Sequence, residues 1–191
     1  MIIAGTGHRP DKIRLGTRDA YDHQVHSRLV DLARAVLQRK APTRVISGMA
    51  QGWDTALAIA AVDLGIAFDA YVPFEGQESR WPAAAQRRYR DLLSRAATVV
   101  IVCEGGYSVE KMQTRNERMV DDSDLVVALW NGTPGGTRNC IDYAETVGRR
   151  WENQWRFWLR HAGPRSAVAA APTRFTDPVF EALLADAGGV A

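Results

Sequence analysis

Short apolar runs alternate five times with helical stretches, and glycine turns follow the first, second, fourth and fifth runs. Few folds satisfy such an alternation. Its strands pair in parallel and its helices cover both faces of the sheet. Ligands on such sheets bind beyond the carboxyl ends of the strands, near the point where strand order reverses. The expected class is therefore α/β, a three-layer sandwich with a mainly parallel sheet of at least five strands. The strand stretches are Met1 to Ala4, Arg44 to Ile46, Ala67 to Val72, Thr98 to Cys103 and Leu125 to Trp130. The continuous apolar run of the fourth reads as a strand buried on both faces.

The helix from about Asp19 to Arg39 carries Leu29, Leu32, Ala33, Val36 and Leu37 on one face. The stretch Thr55 to Val62 is apolar all round and reads as a buried helix closed by Gly65. Helices are also expected over 83–95 and 109–122, and from Thr137 onward. After Gly148 the pattern changes, which sets a boundary between a domain of residues 1–148 and an appendage of 149–191. There Trp151, Trp155, Trp158 and Leu159 fall at helical spacing beside arginines. That face reads as folding back on the domain, with a homodimer contact through the three tryptophans as the next option. Residues 161–176 read as an Ala/Pro linker and Asp177-Pro178 as the start of a short terminal helix.

Composition narrows the partners. The 191 residues carry a net charge of only +2, so no global field argues for nucleic acid. Two cysteines, Cys103 and Cys140, do not make a disulfide framework and fit a reducing cytosol. Cys140 reads as a small packed residue rather than a nucleophile. No stretch approaches the ~20 apolar residues that span a bilayer, and the amino terminus runs directly into a strand, so a cytoplasmic protein without a leader is expected. Neither a metal site nor a required cofactor is expected.

The chemistry is in the strand-end loops. Ser47-Gly48-Met49-Ala50-Gln51-Gly52-Trp53-Asp54 joins a strand to a helix, an arrangement that presents main-chain N–H groups to an anion. Asp54 stands at an N-cap position, where it could also contact a ribose hydroxyl or position a water. Gly5-Thr6-Gly7-His8-Arg9 and Asn131-Gly132-Thr133-Pro134-Gly135-Gly136-Thr137 end two more strands. Their N–H groups and hydroxyls suit a phosphate, and Thr137 could instead cap its helix. The long loop from Pro73 to Pro82 offers Phe74 and Trp81 for stacking, with Glu75 and Gln77 for hydrogen bonds. Arg115, Asn116 and Met119 neighbour one another on the fourth helix, and Asn116 has poor helix propensity, which points to a tertiary bond. Neither G-x-G-x-x-G nor a Walker A loop occurs, which disfavours an ordinary dehydrogenase or P-loop NTPase. A phosphate-bearing ligand is the leading expectation.

Five pieces in order resemble one family: Thr6-Gly7-His8-Arg9-Pro10; Ser47-Gly48-x-Ala50-x-Gly52-x-Asp54; Pro73-Phe74-x-x-Gln77; Gln113-x-Arg115-Asn116-x-x-Met119-Val120-Asp121-x-Ser123-Asp124; and Gly135-Gly136-Thr137. Together they resemble the YpsA-like branch of the SMF/DprA–LOG (SLOG) superfamily over roughly residues 1–148. The resemblance implies a Rossmann-like domain that binds a nucleotide or nucleotide-derived ligand. Relatives in the wider superfamily include nucleotide sensors, DNA-binding recombination mediators and LOG-type phosphoribohydrolases. The LOG enzymes carry P-G-G-x-G-T followed closely by glutamate. Here Thr137 is followed by Arg138-Asn139-Cys140-Ile141-Asp142, with Glu145 beyond, which favours sensing over turnover.

On this reading phosphate sits on Gly135, Gly136 and Thr137, helped by Gly48, Ser47, Gly52 and the loop from Gly5 to Arg9. Base or ribose meets Trp53, Asp54, Gln77 and Trp81, and Arg115 and Asn116 border the cleft. The alternative is an N-glycosidase acting on a nucleoside monophosphate, with Asp54, Glu75 or Asp121 as the carboxylate. DprA-like single-stranded DNA binding, through arginines of 87–90 and 149–160, is the third option.

Overall fold

A computed structural model describes residues 1–13 and 23–161. The expected linker and terminal helix beyond 161, and the start of the first helix, lie outside the described residues. The elements follow in the order β1 (Ile2–Gly7), a 3-10 turn (Pro10–Lys12), α1 (His23–Lys40), β2 (Arg44–Ser47), α2 (Trp53–Leu64), β3 (Phe68–Val72) and α3 (Ala83–Arg95). Then come β4 (Thr98–Ile101), α4 (Val109–Asp121), β5 (Leu125–Leu129), α5 (Gly136–Thr146), β6 (Trp151–Asn153) and α6 (Trp155–His161).

The six strands form one sheet in the order β4-β3-β2-β1-β5-β6, and every pair is parallel. The chain works outward from β1 to β4, then crosses back so that β5 pairs with β1 in the register Ile3↔Leu125. Strand order therefore reverses between β1 and β5, and their carboxyl ends part to leave a crevice. This is a Rossmann-like α/β sandwich.

Neighbouring residues of β1 face opposite layers, as strand geometry requires. Ile3 joins the larger core with Leu29, Leu57, Phe68 and Trp158, whereas Ala4 packs with Ile46, Tyr71 and Met119 on the other face. Every residue of α2 from Trp53 to Ala61 is buried, which explains a helix with no polar face. It ends on Gly65, whose φ of 68° suits a left-handed cap that lacks a Cβ.

Three expectations are corrected. β4 is an edge strand, with Val99 45 % and Ile101 52 % exposed, so it is not buried on both faces. Residues 151–153 form a sixth strand beside β5 rather than a turn of helix. The sheet therefore continues past residue 148. Lys40 pairs with Glu152, tying β6 to α1, and the Asn153 amide bonds both ways with the main chain of Trp130. Trp158 is fully buried in the main core, so it is not available to a second copy. Trp151 packs on the opposite face, against the cluster of Val126 and Cys140, and its indole N–H donates to Glu145 at 3.2 Å. The three tryptophans share no helical face. Among the described residues no helix is long and apolar enough to cross a membrane.

Candidate functional site

The loops after β1, β2, β3, β4 and β5 converge on a cleft with two compartments. The inner one, of about 310 Å³, opens above β1 and β5. Its walls come from Thr6 to Arg9 after β1, Ala50 and Asp54 after β2, Arg115 and Asn116 of α4, and Thr133 to Thr137 after β5. Lys12 closes one side, its ammonium donating to the Pro134 carbonyl at 3.0 Å and the Thr133 hydroxyl at 3.3 Å. The outer compartment, of about 620 Å³, lies between the loop after β3 and the loop after β4. Arg9, Tyr107 and Met112 line both.

The inner compartment is floored by the start of α5. Gly135 is the N-cap at φ 140° and, without a side chain, makes no cap hydrogen bond to the N–H groups of the first turn. Thr137 lies within the helix and does not cap it. Asn116 holds the loop by donating to the Gly136 carbonyl at 3.4 Å, which is the tertiary bond its poor helix propensity pointed to. A Cβ on Gly136 would meet nothing within 4 Å, because that position faces open space.

The other glycines do a different job. Gly5 and Gly7 let α2 approach β1: side chains there would strike Leu57 and Trp53. At Gly52 the main chain takes φ 97° against the His8 carbonyl. At Gly48 the Arg115 guanidinium occupies the space of a side chain and donates to the Gly48 carbonyl. Ser47 is also internal: its hydroxyl donates to the Asp54 carbonyl at 2.9 Å and accepts the Met49 N–H at 3.1 Å.

Asp54 is not the N-cap. Gly52 holds that position, and Asp54 sits in the first turn with its carboxylate 3.7 Å from Arg115. Burial pushes its pKa up to about 6, against the opposing charge of Arg115 and the nearby main-chain N–H groups. The same burial lowers Arg115, with Asp54 opposing. The cavity therefore holds a carboxyl able to gain or lose a proton near neutral pH.

Burial also lowers the pKa of His8 and keeps the ring neutral at pH 7. The ring contacts the Asn131 side-chain oxygen at 2.6 Å and main-chain N–H at 2.9 Å, and stands edge-on to Trp155. Cys140, behind the floor, is raised to about 11 by burial, although the Thr6 hydroxyl reaches its sulfur. It is a protonated, packed thiol.

Not every expected residue reaches the cleft. Trp53 is fully enclosed, its indole N–H donating to the Val127 carbonyl at 3.0 Å, so it is a core residue beneath the site. Asp121 lies at the opposite, amino-terminal edge of the sheet, bonded to the Tyr143 hydroxyl. Its near neighbour Asp124 there accepts the Ile2 N–H at the start of β1. A helix that leads into β5 must end at that edge. Glu75 and Trp81 line only the outer compartment, and Trp81 packs edge-on to Tyr89. Gln77 is buried between the compartments, its amide reaching the Gly48 carbonyl at 3.5 Å. Sequence reading missed Lys12, Tyr107 and Met112. Lys12 and Tyr107 follow strand-end turns, and that placement was their only signal.

A family model described as the YspA SLOG family matches residues 3–158. The chain belongs to that family. An uncharacterized SPbeta prophage-derived protein, YoqJ of Bacillus subtilis, is 37 % identical over 84 residues, covering 38 % of this SLOG chain and 49 % of YoqJ. The fold resembles DNA processing protein A (DprA) of Streptococcus pneumoniae at TM-score 0.55 and 18 % identity, over 79 % of this chain and 49 % of the other. It also resembles DNA processing protein A of Helicobacter pylori, solved in a study of its single-stranded DNA binding mode. That match has TM-score 0.56 and 16 % identity, over 97 % of this chain and 81 % of the other. The SLOG chain thus spans about half the length of YoqJ and of the pneumococcal protein. Among the described residues no group of three or more His, Cys, Asp or Glu could hold a metal ion.

Proposed function

We propose that this SLOG protein binds a nucleotide or nucleotide-derived ligand in the two-compartment cleft and acts as a sensor. The observation that carries the reading is the floor of the inner compartment. There the uncapped first turn of α5 meets a cavity rimmed by the cations Arg9 and Lys12. Free helical N–H groups, the helix dipole and two cations together suit a phosphate. The charge of Arg115 does not add to them, since it is turned toward Gly48 and Asp54.

Gly136→Val tests this directly. The new side chain enters open space, so the melting temperature should stay near wild type while phosphate-bearing ligands lose at least tenfold in affinity (about 1.4 kcal/mol). Thermal-shift and calorimetric titrations with nucleotides, cyclic nucleotides, NAD and ADP-ribose provide the readout. Unchanged affinity in the variant would refute the phosphate assignment.

One observation favours a second reading. Asp54 is a carboxyl in the cavity with a pKa near 6, which suits general acid–base work in N-glycosidic hydrolysis. Free base released from a bound nucleotide, and lost in Asp54→Asn, would make the protein a hydrolase. A ligand recovered intact would make it a sensor.

A further inference from the structure

The outer compartment holds an unanswered polar group. Gln77 is 8 % exposed, and its side-chain oxygen has no hydrogen-bond partner. The amide nitrogen faces the Gly48 carbonyl, which leaves the enclosed oxygen as the end without a donor. A buried acceptor without a donor costs about 1–3 kcal/mol. Such a group calls for an N–H brought in from outside.

The walls around it set three aromatic rings, Phe74, Trp81 and Tyr107, among the charged side chains of Arg9, Glu75 and Arg80. Phe74 is buried and meets Tyr107 edge-on, with ring centres 6.1 Å apart. Tyr107 itself is 66 % exposed although it stands where the two compartments join. A large ring left open at the mouth of a cavity is a stacking surface without a partner.

We infer that the outer compartment is a nucleobase subsite selective for an amino-purine, whose exocyclic amino group donates to the Gln77 oxygen while the ring stacks on Tyr107. This inference rests on the phosphate reading of the inner compartment, because a base here needs its phosphate there. Arg9, which borders both compartments, stands at the join that a ribose would cross. A volume of about 620 Å³ has room for a two-ring base.

The test compares nucleotides that differ by one amino group. Adenosine 5′-monophosphate is set against purine riboside 5′-monophosphate, and guanosine against inosine 5′-monophosphate, with ribose 5-phosphate as the baseless control. At least one amino-bearing partner should bind about tenfold tighter than its counterpart, the size of one satisfied buried hydrogen bond. Gln77→Leu should bring that ratio to near one and leave ribose 5-phosphate unaffected. Tyr107→Ala, at an exposed position, should weaken every base-bearing ligand without touching ribose 5-phosphate.

Equal binding within both pairs by the wild-type protein would overturn the base subsite. If Gly136→Val still abolished binding in that case, the phosphate reading would stand alone. Ribose 5-phosphate binding as tightly as the nucleotides would overturn the subsite in the same way. No binding by any of the five would overturn the subsite; the phosphate reading would fall with it only if cyclic nucleotides, NAD and ADP-ribose also failed to bind.

Discussion

Gly48 is glycine because Arg115 fills the place of a side chain. Gly48→Ala must push that guanidinium away from the Gly48 carbonyl and from Asp54, and should cost about 1–3 kcal/mol in urea unfolding. The buried pair it would disturb also sets a pH dependence. Asp54 has a pKa near 6 in the fold, above its ordinary 3.8. Its contribution to stability is therefore full below 3.8 and is lost as pH rises through 6. Asp54→Asn fixes the uncharged form. Relative to wild type its stability should rise by about 1–3 kcal/mol from about pH 4 to about pH 7. His8 titrates the other way: its pKa is lowered, so its contribution is present above 6.5 and fades as pH falls. It is common to both proteins and cancels in the difference. A flat difference across that range would mean that Asp54 is not held against its charged form. The glycine loops were legible in the sequence, but their division of labour was not. Gly48, Gly52 and Gly5 serve packing, Gly7 packs against Trp53 while lining the inner compartment, and Gly135 and Gly136 form its floor, a division set by neighbours that lie far away in the chain.

At the level of elements, alternation and glycine turns were enough to place five strands and their intervening helices. The sixth strand was hidden. Trp151, Trp155 and Trp158 happen to fall at helical spacing, yet Trp151 lies in β6 and only the latter two in α6. Three residues with a glutamate among them carry no strand pattern. What holds β6 is the main chain of β5 and the Asn153 side chain, neither of which periodicity can show. The edge position of β4 was equally hidden, since an apolar run does not reveal whether a neighbour strand follows. Removing the Trp158 side chain from the core it fills should cost about 3–5 kcal/mol. A chain ending at residue 148 lacks β6 and α6, and should unfold at lower urea than the full chain, as followed by circular dichroism.

At the scale of the whole molecule the net charge of +2 gives no strong overall field, and in the inner compartment Arg9 and Lys12 stand at the rim while Arg115 is engaged with Gly48 and Asp54. Lys12→Ala should therefore weaken phosphate-ligand binding severalfold and flatten its salt dependence, with little change in melting temperature. Single-stranded DNA, if bound in the manner of a multi-phosphate contact, would show a steep salt slope. A shallow slope together with retained mononucleotide affinity would separate the small-ligand reading from the nucleic-acid one.

The crossing of the chain from β4 back to β1 also governs when a site can exist during folding. Strands β1 to β4 can assemble from neighbours in sequence, but the Ile3↔Leu125 register joins one end of that sheet to a strand reached only after four helices. Contacts of such long sequence separation are slow to close. The floor of the inner compartment follows β5, so a nascent chain or kinetic intermediate stalled at four strands has no place for the proposed ligand. Ligand added at the start of refolding should leave the folding rate unchanged and slow only the unfolding, because it meets its site after the rate-limiting closure has passed.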